Sequence, residues 1–149
     1  LDRNDRPTPS AATGMTYLVD ANVLSEPTRP TPEPKVVSWL SEHEGEFVVD
    51  PIVLGELRVG ILSLPPGRKR TQLGRWFAEV VEAVECLPWD AAVSRCWAEL
   101  VVESTRKGLV LPVMDSLIAA TALGHGLTVV TRNVQHFKAA GAKVLNPFG

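Results

Sequence analysis

Thr16-Tyr-Leu-Val19, followed at once by Asp20, is a short β-rich run that stops at a carboxylate. Four later runs share its character: Glu46-Phe-Val-Val49, Val84-Glu-Cys-Leu87, Leu127-Thr-Val-Val-Thr131 and Lys143-Val-Leu145. Several are continuously apolar, as strands covered on both faces should be. Between them lie helical patterns. Residues 34–44 space Val36, Val37, Trp39 and Leu40 on one face, with Pro34 suited to the first turn. Asp50-Pro51 opens a second helix as cap and first residue, and Leu64-Pro-Pro-Gly67 stops it. Residues 68–84 and 90–107 are amphipathic, the second capped by Asp90 and ended by Gly108. Residues 114–123 should form an apolar helix closing at Gly124, and 134–140 a short one ending at Gly141. Strands alternating with helices imply an α/β fold with a parallel sheet and right-handed crossovers.

The 149 residues suit one domain. A net charge of −2 means that any surface for nucleic acid must come from local clustering of Lys and Arg. Cys86 and Cys96 form no CxxC pair and are expected to be buried reduced thiols. No apolar run reaches the roughly 20 residues of a membrane span, and a cytoplasmic location is expected. Residues 1–14 hold no hydrophobic stretch and are expected to be a disordered tag or N-terminal extension; residues 15–149 form the domain.

In a parallel sheet, ligands bind outside the carboxyl ends of the strands, where the N-termini of the crossover helices also gather. Asp20 ends the first strand, and Glu56 lies in the second turn of the helix after the second. Asp115 begins the helix leading into the run at 127–131, and Asn133 follows that strand. All four can meet at one edge. Asp50 and Asp90 lie at the same edge as helix caps, which alone needs no chemistry. What sets Asp20, Glu56 and Asp115 apart is their apolar surroundings, since a carboxylate against apolar walls is costly unless paired or metal-bound. Three carboxylates without a matching Lys or Arg repel one another, and a divalent cation is the natural compensation. Oxygen-only ligands favour Mg²⁺ or Mn²⁺ over zinc. His43, His125 and His136 occur singly and are expected to be surface or packing residues.

Tyr17-Leu-Val-Asp-Ala-Asn-Val-Leu-Ser-Glu26 resembles the opening motif of PIN domains, and Leu54-Gly-Glu-Leu-Arg-Val-Gly60 their second acidic motif. Met114-Asp-Ser-Leu-Ile-Ala-Ala-Thr-Ala122 and Leu127-Thr-Val-Val-Thr-Arg-Asn133 are similar to the third and fourth. Within the family the chain looks most like the VapC and FitB-like toxins of bacterial type II toxin–antitoxin modules. The resemblance implies a parallel sheet of about five strands flanked by helices, Mg²⁺-dependent endonucleolytic cleavage of RNA, a homodimer, and a cognate VapB-type antitoxin. It implies Asp20 and Asp115 as direct metal ligands and Glu56 as a further acid, with Thr131 and Asn133 beside them. Asn133 departs from the family, which often has Asp there; an amide offers one neutral oxygen and no charge.

The implied chemistry is in-line attack by metal-activated water, leaving a 5′-phosphate and a 3′-hydroxyl, with Glu56 orienting or deprotonating the water. Arg68-Lys-Arg70 with Arg75 is the densest basic stretch and could steer phosphates, although a solvated helix start would look the same. Arg132 adjoins the acids and is the better single candidate for a phosphate contact. Trp39, Trp76, Trp89 and Trp97 read as core or interface anchors. An aspartyl phosphatase would want a carboxylate two residues after Asp20, where Asn22 stands. The remaining rival is a PIN scaffold that binds RNA or protein without cutting.

Overall fold

A computed structural model describes residues 7–10 and 14–149. The expectation for residues 1–14 therefore lies largely outside the described residues. Among these, four strands form one all-parallel sheet in the order β2-β1-β3-β4: β1 Tyr17–Val19, β2 Phe47–Val48, β3 Thr128–Val130 and β4 Lys143–Leu145. Leu18 is level with Val48 on one side and Val129 on the other, and Val129 with Val144. β1 and β3 are buried along their whole length, which is why they read as unbroken apolar runs. The fifth run, residues 84–87, adds one parallel bridge, Val49 to Cys86, outside β2. Val49 N–H donates to Glu85 C=O at 2.9 Å and Leu87 N–H donates to Val49 C=O at 2.8 Å, and the pairing goes no further. The sheet thus has four strands where about five were expected.

Helices cover both sides: α1 Ala21–Leu24, α2 Pro34–Glu42, α3 Pro51–Leu62, α4 Arg68–Trp76, α5 Ala91–Arg106, α6 Val113–His125 and α7 Val134–Ala139. Asp50 caps α3 by accepting Val53 N–H at 2.9 Å, and Asp90 caps α5 by accepting Val93 N–H at 3.0 Å. The helix expected over residues 68–84 changes pitch midway. After Trp76 it widens into a π turn, Phe77–Val81, where Glu82 N–H reaches Phe77 C=O at 3.0 Å.

The α6 helix does not close at Gly124. It runs on to His125, and Gly126 supplies the left-handed backbone of the cap with φ 66°. Gly124 instead lies where α6 faces α5: a Cβ there would stand 3.5 Å from Cys96 Sγ, an ordinary packing distance. Cys86 is exposed rather than buried and Cys96 half-buried; both thiols are free. Trp39 stacks on His43 with ring centroids 4.3 Å apart, and Trp89 donates its indole N–H to Leu117 C=O at 3.1 Å, so these are anchors as expected. No helix among the described residues is long and apolar enough to cross a membrane.

Candidate active site

The acids meet where the sheet's carboxyl edge faces the helix starts. β1 ends at Val19, and the chain turns into α1 with Asp20 as its cap. Asp20 Oδ1 accepts Ala21 N–H at 2.8 Å, and Oδ2 accepts the Thr131 hydroxyl at 2.7 Å. Thr131 follows β3, and its hydroxyl oxygen also accepts Asn133 N–H at 3.0 Å. Asn22 closes the link between the two strand ends: its amide N–H donates to Asp20 Oδ2 at 3.3 Å, and its carbonyl accepts Arg132 N–H at 3.2 Å. Asp20 is 3% exposed, so these bonds hold it in one orientation.

Asp115 sits in the first turn of α6, with its Oδ2 2.6 Å from His136 Nδ1 on the first turn of α7. The next residue, Ser116, accepts the Trp97 indole N–H at 3.0 Å and donates to Val113 C=O at 2.6 Å, fixing the start of the helix. Glu56 projects from the second turn of α3. Its Oε1 is buried and has no hydrogen-bond partner.

One cavity of about 540 Å³ joins these groups: Asp20, Glu56, Asp115 and Asn133 all line it, as expected. No Lys or Arg pairs with Asp20, Glu56 or Asp115 among the described residues. The electrostatics follow. Burial pushes the Glu56 carboxyl up to about 7, and the charges of Asp20, Asp115 and Asp50 add to the shift. Asp20 is raised mainly by burial, against the opposing bonds from Thr131 and Ala21, with Asp115 and Asp50 adding. Asp50 is raised by burial and held by Val53 N–H and the Thr121 hydroxyl at 2.8 Å.

The donor set fits a hard divalent ion. It is all oxygen, it carries uncompensated negative charge, and one buried oxygen lacks any partner. No three His, Cys, Asp or Glu among the described residues form a ready-made metal cage. Mg²⁺ keeps several of its waters and is commonly held by only one or two carboxylates.

Two features escaped the sequence. His136 is not a simple surface or packing residue, because its ring holds Asp115. The signal was available: it stands on the first turn of the helix after Asn133, at the edge where helix starts gather. The second is α4, whose Leu73 and Trp76 line the acidic cavity. The linear sequence does not show that this helix reaches the cavity of the acids. Of the basic residues near the acids, Arg132 lines the cavity with its guanidinium 4.3 Å from the Phe148 ring centroid.

Known proteins resemble the chain over most of its length. The chain is 36% identical to the VapC ribonuclease Y4jK of Sinorhizobium fredii over 88% of this chain and 96% of that one. It is 37% identical to the toxin FitB of Neisseria gonorrhoeae, over 88% and 97% respectively. The crystal structure of FitAcB from Neisseria gonorrhoeae superposes with a TM-score of 0.84 at 34% identity, covering 89% of this chain and 99% of that one. The family model of the PIN domain matches residues 17–143. The fold, the order of its acidic motifs and this match together place the chain in the PIN-domain family.

Proposed function

We propose that the protein is the toxin of a VapBC-type toxin–antitoxin pair and acts as a Mg²⁺-dependent endoribonuclease. The observation that carries this reading is Glu56 Oε1, buried without a partner in a cavity shared with Asp20 and Asp115. An oxygen in that state costs free energy unless a cation or its water reaches it. The names of the relatives, one a ribonuclease and one a toxin, support the same reading.

Asp20 and Asp115 would hold the ion. Thr131 and Asn22 fix the Asp20 carboxylate, and His136 occupies Asp115 Oδ2, leaving its other oxygen for the cavity. When bound, Mg²⁺ or Mn²⁺ supplies charge to the scissile phosphate and lowers the pKa of a water. Glu56 lines the same cavity with an unpartnered carboxylate oxygen, which suits it to orient that water and accept its proton. Arg132 lines the same cavity as a positive contact for phosphate. In-line attack leaves a 5′-phosphate and a 3′-hydroxyl.

The partners in this reading are RNA, a VapB-type antitoxin and a second copy of the chain. Val110 and Val113, 97% and 65% exposed just before Asp115, support a covered apolar face there. A PIN scaffold that binds without cutting draws its support from Asn133, which leaves the centre one carboxylate short. Expression in a cell separates the two. Wild type should arrest growth and fragment RNA, and Asp115→Asn should do neither. Arrest by Asp115→Asn at full strength would favour the scaffold.

A further inference from the structure

Four of the chain's 15 Lys and Arg residues, Arg68, Lys69, Arg70 and Arg75, fall within the nine residues of α4, which contains no Asp or Glu. This one helix therefore carries +4 in a chain whose net charge is −2. None of the four forms an ion pair among the described residues. Arg68, Lys69 and Arg75 are exposed, and no residue of α4 is fully buried. Its apolar side chains, Leu73 and Trp76, pack partly against the core and also line the carboxylate cavity. Lys69 and Arg70 stand four and three residues before Leu73, so they share its side of the helix.

The cavity poses an electrostatic difficulty for a polyanionic substrate, because Asp20, Glu56 and Asp115 repel it until a cation is present. A strand of phosphates needs positive charge beside the site. From these observations we infer that α4 is the RNA-binding element: its Lys and Arg residues hold backbone phosphates, and Trp76 stacks a base next to the scissile bond. This deepens the ribonuclease reading and rests on it. An indole face receives a base only when that base is unstacked from its neighbours, so the substrate is an unpaired segment of RNA. An acidic peptide would match the basic residues as well, but it offers no base to stack on Trp76.

The test is fluorescence anisotropy with a labelled single-stranded RNA and its duplex form. It uses Mg²⁺, salt from about 50 to 200 mM, and Asp20→Asn protein so that nothing is cut. The single strand should bind more tightly than the duplex. The Lys69→Ala/Arg70→Ala pair should flatten the plot of log Kd against log salt by about 1.4, roughly 0.7 for each phosphate no longer neutralised. Trp76→Ala should raise Kd about tenfold at every salt without changing the slope, and Trp76→Phe should restore most of the affinity. Should Trp76→Ala fail to fold, Trp76→Phe and the Lys69/Arg70 pair still decide. An unchanged slope in the pair overturns the inference, as does equal affinity for duplex and single strand. So does a pair that keeps its RNA affinity but loses a bound protein partner. If the Asp20-intact protein cuts RNA while the slope is unchanged, only the role of α4 falls. If that protein cuts no RNA, the ribonuclease reading itself falls.

Discussion

A carboxyl group with a pKa near 7 in the fold and 4.5 in the open chain takes up a proton on folding at any pH between those values. The folded state of Glu56 then binds more protons than the unfolded one, so its contribution to stability falls as pH rises from about 4.5 to about 7. Asp20 and Asp50 are raised as well and act with the same sign. In EDTA the melting temperature should therefore decline across that window. Glu56→Gln should remove much of the decline and raise the melting temperature near pH 8 by about 2–4 °C. Added Mg²⁺ should do the same for wild type, since an ion that binds only the folded state stabilises it. A wild-type melting temperature that climbs through the window in EDTA would contradict this electrostatic account.

Asn133 offers a second test at the same scale. Its side chain makes no capping bond at the start of α7; the Thr131 hydroxyl takes its N–H instead. The amide is thus uncommitted beside the acids, and Asn133→Asp should tighten Mg²⁺ binding in the free protein. Identical calorimetric isotherms for the two proteins would remove Asn133 from the site.

Helix caps show how burial separates two residues of the same kind. Asp50 and Asp90 each cap the helix that follows them, but Asp90 is exposed while Asp50 is 0% exposed and also holds the Thr121 hydroxyl of α6. Asp90→Ala should cost about 1 kcal/mol. Asp50→Ala should cost about 2–3 kcal/mol, because it loses the cap and strands a buried hydroxyl. Urea unfolding of both variants measures the difference, and equal losses would show that the Asp50–Thr121 bond adds nothing. The local signals of these elements, cap, Pro51 and apolar period, were legible because they act within a few residues. Three features depended on packing between segments far apart in the chain. Residues 84–87 have strand composition but pair only at Cys86. The π turn after Trp76 interrupts what reads as one helix. Gly124 looked like a stop signal but is the place where α5 and α6 touch. The site followed the same rule. Asp20, Glu56, Asp115 and Asn133 could be placed because strand ends and helix starts share an edge, while the Asp115–His136 bond and the lining by α4 depend on side chains meeting across the fold.

The molecule as a whole is nearly neutral, with Asp20, Glu56 and Asp115 gathered at one cavity and +4 concentrated on a helix that lines it. Such a separation of charge should make activity strongly dependent on ionic strength, with KM for RNA rising steeply with salt and kcat changing little. The central claim is that Asp20, Glu56 and Asp115 form a cation-dependent centre for phosphodiester hydrolysis. Single-turnover cleavage of RNA across a Mg²⁺ titration, for wild type and Asp20→Asn, tests it most directly. The account predicts saturable cleavage by wild type that EDTA abolishes, 5′-phosphate ends on the products, and no cleavage by Asp20→Asn at any Mg²⁺ concentration. Cleavage that persists in EDTA, or an Asp20→Asn protein that cuts at the wild-type rate, would contradict it.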